Sequence, residues 1–179
     1  MAPEPLSPQE LAVWHAWKAM TETVRGLVAR DISEATGLSD PDYGILSRLS
    51  DLGGGRLRQH QLAASMNWDK SRLSHQLSRM QQRGLIDRAR SGEGTVGVTI
   101  TREGRAALGR ARPVHASAVR RHLLEPLGRG RIPAVLDMAR RLDQAALGRP
   151  GTRPSSAPSG TRPSMDGRPR DRSRPPAPA

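Results

Sequence analysis

The 179-residue chain has no cysteine and no phenylalanine, and its aromatic residues are three tryptophans and one tyrosine. Without cysteine there is no disulfide framework, thiolate metal site, thiol nucleophile or cysteine redox switch. No apolar run approaches the ~18 residues that a membrane span needs. Met1 to Leu11 lack the basic-then-apolar pattern of a secretion signal. These absences argue for a soluble, cytoplasmic protein with no membrane partner. Lysine is nearly missing as well: Lys18 and Lys70 are the only two, so arginine supplies almost all of the 29 basic residues. Against 17 acidic residues they leave a net charge of +12, which points to a polyanionic partner.

The charge is unevenly placed. Met1 to Gly55 carry 4 basic and 8 acidic residues, net −4, whereas Arg56 to Arg112 carry 12 and 4, net +8. Pro113 to Gly148 add +3 and Arg149 to Ala179 add +5. The last stretch is Pro, Arg, Ser and Gly with one Met, and cannot bury enough apolar area to offset chain entropy. Residues 149–179 therefore read as a disordered basic tail, whose deletion should leave the fold and its assembly intact. Residues 1–148 read as one domain.

Within that domain the pattern is mainly helical. Ser7-Pro8-Gln9-Glu10 has the form of a helix start, with a Ser cap, Pro in first position and Glu three residues on. Leu11, Trp14, Trp17, Val24, Leu27 and Val28 recur at helical spacing, predicting a helix to about Ile32. Ser39-Asp40-Pro41-Asp42 is a second start, followed by Tyr43, Leu46, Leu49 and Leu52 on one face, with Gly53-Gly54-Gly55 as the stop. Two short helices follow, about Leu57 to Met66 and Asp69 to Arg83, joined by a tight turn at Asn67-Trp68-Asp69. Leu85 to Arg90 and Val96 to Thr101 read as a hairpin with a glycine-rich tip. Thr101 caps a helix running to Leu124, kinked at Pro113 and ended by Glu125-Pro126. A last helix covers about Ile132 to Leu147.

The two short helices form a helix–turn–helix, in which the second helix enters the DNA major groove. Asp69 to Arg83 is asymmetric. Leu73, Leu77 and Met80 line one side, and Ser71, Arg72, His75, Arg79 and Gln82 lie around the other. Arginine reads guanine through a fork matched to two acceptors, and His and Gln also bond base edges. An ordinary solvated amphipathic helix shows the same stripe, so the weight rests on context: the preceding helix, the turn, the hairpin and the +8 segment. In this setting the hairpin is a wing, with Arg88 and Arg90 on its first strand directed at phosphates or the minor groove. Arg56 and Arg58, ahead of the first short helix, are candidate phosphate contacts.

Residues Arg56 to Ala107 resemble the winged helix–turn–helix of the multiple antibiotic resistance regulator (MarR) family. The matching elements are Leu62-Ala63, then Asp69-Lys70-Ser71-Arg72-Leu73-Ser74 opening the recognition helix. Arg79-Met80 and Gly84-Leu85 close it, and Ile100-Thr101 with Glu103-Gly104 follow the wing. The flanking helices match too, so the resemblance covers about Leu6 to Leu147. One departure is the wing tip, where the family's Asp and the Arg two residues after it are replaced by Gly92-Glu93-Gly94. The resemblance implies a mainly α fold with a small β-hairpin wing, and a homodimer bound to a pseudo-palindromic operator on double-stranded DNA. Winged helix–turn–helix residues 56–107 then lie between dimerisation helices 6–32 and 108–148. It adds Lys70 and Ser74 to the DNA-binding candidates. It places Leu6, Leu11, Leu123, Leu124, Leu127, Ile132, Val135, Leu136 and Leu142 in the dimer interface. It also implies a small aromatic or carboxylate effector that releases DNA, with Trp14, His15, Trp17, Tyr43 and Leu46 as pocket candidates; these aromatics serve equally well as core and interface filler.

The resulting expectation is a homodimeric, sequence-specific transcriptional regulator, in most relatives a repressor. The alternative is a sequence-tolerant architectural DNA-binding protein, which the basic tail would favour. An enzyme is not expected. His15, His60, His75, His115 and His122 form no metal-type pair, no glycine loop has the strand and Lys of a phosphate cradle, and no nucleophile–base arrangement stands out. No metal or cofactor is expected either.

Overall fold

A computed structural model describes residues 4–90 and 95–147. The glycine-rich wing tip at 91–94 and the basic tail at 149–179 lie outside the described residues.

Local capping sets the helix starts. Helix α1 spans Pro8–Thr36; the Ser7 hydroxyl accepts from Glu10 N at 3.3 Å, and Ser7 N donates back to the Glu10 carboxylate at 2.8 Å. Those Ser7 donors hold the Glu10 carboxyl below its usual range. This capping contribution is therefore present above the ordinary carboxylate pKa and is lost as pH falls through the lowered one. The helix runs one turn beyond the expected end near Ile32, because nothing breaks it before Gly37 at φ +70°. Thr36 Oγ1 meanwhile bonds Ile32 O at 2.7 Å. Helix α2 spans Asp40–Gly53 with the same reciprocal cap between Ser39 and Asp42. Its buried apolar residues are Ile45, Leu46 and Leu49; Leu52, expected on that stripe, is half exposed in the last turn.

The first short helix is where the sequence reading needs correction. Arg56–Arg58 form strand β1, not the start of a helix, and α3 covers Gln59–Met66. Asn67 turns the chain at φ +52°, and Asp69 caps α4, Lys70–Gln82, by accepting from Arg72 N at 2.8 Å. Strands β2 (Ile86–Arg90) and β3 (Val96–Ile100) pair antiparallel with Arg88 opposite Val98. Strand β1 adds to the far side of β3 with Leu57 opposite Val98, so the sheet order is β1-β3-β2.

Thr101 caps α5, Arg102–Val119. The helix passes through Pro113 without ending, with α1 packed along it. Its irregularity falls later, as a π-helical turn at Arg120–Leu124 followed by α6 (Glu125–Leu127). Gly128 at φ +73°, not Glu125-Pro126, closes the run. After a 3₁₀ turn at Arg129–Arg131, α7 covers Ile132–Leu147. One core is built from the end of α1, the buried sides of α2 to α5 and the sheet. The first half of α1 and most of α7 stand outside it, with their apolar side chains exposed.

Candidate nucleic-acid interface

Helix α4 is pressed onto the core by Leu73, Leu77 and Met80, all fully buried, and by one polar residue that the apolar stripe did not announce, Gln76. Burying an amide is costly unless it is bonded. Gln76 Nε2 donates to Asp42 Oδ1 at 2.7 Å, and Asp42 is itself fully buried in the first turn of α2. Arg83, just past α4, donates to Asp42 Oδ2 at 2.6 Å and to Gly37 O at 3.0 Å. The C-terminal half of α4 is thus bolted to the start of α2.

The opposite side of α4 is open. Lys70, Ser71, Arg72, His75, Arg79 and Gln82 are exposed, and Ser74 is half buried. Arg72 stacks on Trp68, its guanidinium carbon 4.2 Å from the ring centroid, which limits the directions its fork can take. Arg79 Nη2 donates to Gln76 Oε1. Trp68 therefore does more than mark a turn: its ring packs on the core and carries Arg72 on its face.

On the wing side, Arg88 is half buried; its Nε donates to Gln81 Oε1 at 2.9 Å and its Nη2 to Ser78 Oγ at 3.2 Å. It braces β2 against α4. Arg90, two residues on along the same strand face, is exposed. A groove between α4 and the wing strands brings Lys70, Ser74, Arg88 and Arg90 together with Gln59 and Gln81. A second cleft, lined by Gln59, His60, Lys70 and Thr95, adjoins it. Arg56 and Arg58 line a third, with Gln61, Thr95 and Gly97, on the β1 edge of the sheet. Shared lining residues join the three into one surface. His60, which no motif singled out, lies within it.

The pocket candidates do not come together within one chain. Trp14, His15 and Trp17 sit on the exposed first half of α1, and Lys18 lies over the Trp14 ring at 5.3 Å. From Trp17 to Ile32, where α1 enters the core, is about 22 Å of helix. Leu46 faces the core and is fully buried. Tyr43 is half buried and stacks on His115 of α5 with ring centroids 4.9 Å apart, a partner the sequence did not reveal. A cleft between α1 and α5 is lined by Asp31, Glu34, Val114, Ser117 and Arg121 among others, and by none of the five candidates. Of the interface candidates, Leu6, Leu11, Leu124, Val135, Leu136 and Leu142 are exposed, while Leu123, Leu127 and Ile132 are half buried. Val13 and Met20 on α1 and Met138 on α7 are exposed as well.

Comparison with known proteins agrees with this architecture. A family model described as a domain of unknown function, DUF7343, matches residues 37–96. No curated protein sequence matches the chain. Among solved structures, the chain is similar to AbsC, a MarR family transcriptional regulator from Streptomyces coelicolor. The TM-score is 0.72 at 25% identity, over 82% of this chain and 100% of that one. It is also similar to Sco3205, a MarR family transcriptional regulator from the same organism solved in complex with DNA. There the TM-score is 0.73 at 24% identity, over 81% and 92% of the two chains. The organohalide-sensing regulator RdhR-CbdbA1625 in its 2,4-dichlorophenol-bound form shares the fold, with a TM-score of 0.68 at 18% identity over 82% and 88%. With a helix–turn–helix, a three-stranded winged sheet and flanking helices, the chain has the winged-helix fold of the MarR family regulators to which it is similar over most of its length.

Proposed function

We propose that the chain is a homodimeric transcriptional regulator, a repressor by default, that reads a pseudo-palindromic operator with α4 in the major groove. The carrying observation is the outer side of α4. Ser71, Arg72, His75 and Arg79 are exposed there beside a groove holding Lys70, Ser74, Arg88 and Arg90, all in a segment of net charge +8. Arginine forks suit guanine edges, and the surrounding cations suit phosphates. That Sco3205 was solved with DNA supports the same reading. The exposed apolar surfaces of α1 and α7 fit a second copy of the chain, which would set two recognition helices about 34 Å apart.

Binding-site selection from random duplexes with the full chain tests this. The expected outcome is one two-fold-related site with half-sites about one helical turn apart. Alanine at Arg72 or Arg79 should each weaken binding to it by ~1–3 kcal/mol. If random duplex binds as tightly as any selected site at physiological salt, the architectural alternative is right and the regulator reading is wrong.

The effector arm of the proposal rests on Trp14, His15 and Trp17 meeting a pocket only through the second copy, while Tyr43, stacked on His115, would contribute from within one protomer. Titration of the DNA complex with phenols and aromatic carboxylates should release the duplex and perturb tryptophan fluorescence. If neither signal changes across such a panel, the protein is not regulated this way.

A further inference from the structure

Resting on the reading of α4 as the recognition helix, we infer that Asp42 and Gln76 are positioning residues that set base preference through Arg79. Neither can touch DNA, since Asp42 is fully buried and Gln76 is 4% exposed. Their effect follows from the chemistry of the bonds. An ionised carboxylate only accepts hydrogen bonds. Asp42 Oδ1 therefore takes the amide NH₂ of Gln76, at 2.7 Å, and this turns Gln76 Oε1 away from it. That oxygen accepts from Arg79 Nη2. The carboxylate is itself immobile, because its Oδ2 accepts from Arg83 Nη1 at 2.6 Å and from Ser39 N at 3.1 Å. An exposed arginine on α4 is in this way held by two successive side chains fixed in the core.

The apolar stripe sharpens the point. A leucine or methionine at position 76 would continue the face of Leu73, Leu77 and Met80 and would require no buried partner. The amide instead ties a DNA-facing guanidinium to the scaffold. A fork ordered before DNA arrives loses less side-chain freedom on binding, and it rejects bases that require another direction.

The test uses the full chain and the operator it selects. Gln76→Met keeps the packing volume, removes both bonds, and leaves Asp42 with Arg83 and Ser39 N. The relay predicts a loss of about three- to tenfold in operator affinity. Base preference should flatten at one position in each half-site, while the dependence on salt stays as in wild type because the phosphate contacts are the same. In an Arg79→Ala background, Gln76→Met should cost nothing further. Asp42→Asn, isosteric but able to present either amide atom to Gln76, should flatten the same position and serves if Gln76→Met does not fold. Losses from Gln76→Met and Arg79→Ala that multiply, or an unchanged base preference in both relay variants, overturn the inference. An Arg79→Ala protein that binds like wild type overturns it too, while leaving operator selection by the wild type, and the regulator reading, in place. A wild-type chain that selects no site overturns both.

Discussion

Alanine at Gly104 is expected to lower the melting midpoint by roughly 10 °C, the largest stability effect we foresee from adding a single methyl group. Gly104 is buried in the first turn of α5, where its N–H donates to the capping hydroxyl of Thr101 at 2.9 Å. A β-carbon there would sit on the carbonyl oxygen of Leu85 and 3.0 Å from Ile100 Cγ1. Neither backbone can withdraw. The Leu85 carbonyl accepts from Thr101 N at 3.2 Å, and the Thr101 hydroxyl donates to Gly84 O at 2.7 Å, so the end of α4, the start of β2 and the cap of α5 are one hydrogen-bonded knot. Overpacking against side chains typically costs ~1–3 kcal/mol, and backbone that cannot relax puts this case at the upper end or beyond. Gly109, in the same helix and with nothing within 4 Å of its β-position, is the internal control. Alanine there should stabilise by up to ~1 kcal/mol through helix propensity. Thermal melts followed by circular dichroism compare the two, and equal midpoints would refute the argument.

Gly104 also shows what could be read from the sequence and what could not. The residue was visible as part of a family pattern, but the carbonyl that forbids a side chain is nineteen positions earlier and only folding brings it there. Helix starts were legible because capping is local: Ser7, Ser39, Asp69 and Thr101 each bond a backbone N–H three residues on. Strand β1 was not, since three residues are too few to show a period and their partners lie at Gly97 to Thr99. Nothing in the sequence sets Gln76 apart; only the buried Asp42, thirty-four positions away, gives it a role. Arg88 was read as a wing arginine from its charge and position, yet Ser78 and Gln81 draw it back onto α4. The five pocket candidates shared a region of sequence. One continuous helix as long as α1 then separates Trp14 and Trp17 from Tyr43 and Leu46.

Placing aspartate at both Leu11 and Leu142 should yield a monomer that has lost about 10²–10⁴-fold in operator affinity, the cost of engaging two half-sites separately. In a single copy these leucines are 42% and 55% exposed, and Leu6, Val13, Trp14, Met20, Val135 and Leu136 share their fate on α1 and α7. In proteins most helical stability comes from tertiary packing of an amphipathic face. The sixteen residues of α7 keep nearly all of their described side chains exposed in the single chain, so something must cover them for the helix to persist. A second copy would meet that need with the same two surfaces, as an isologous interface requires. The winged-helix core draws its buried residues from Ile32 onward and not from Leu11 or Leu142, so the double variant should still unfold cooperatively. Light scattering behind size exclusion, a melt and an operator titration separate the cases. A folded monomer with weak half-site binding is the expected result. A folded variant that stays dimeric and binds like wild type would show that the terminal helices are not the interface. Wild-type affinity in a proven monomer would show that two-fold recognition is not how this protein reads DNA.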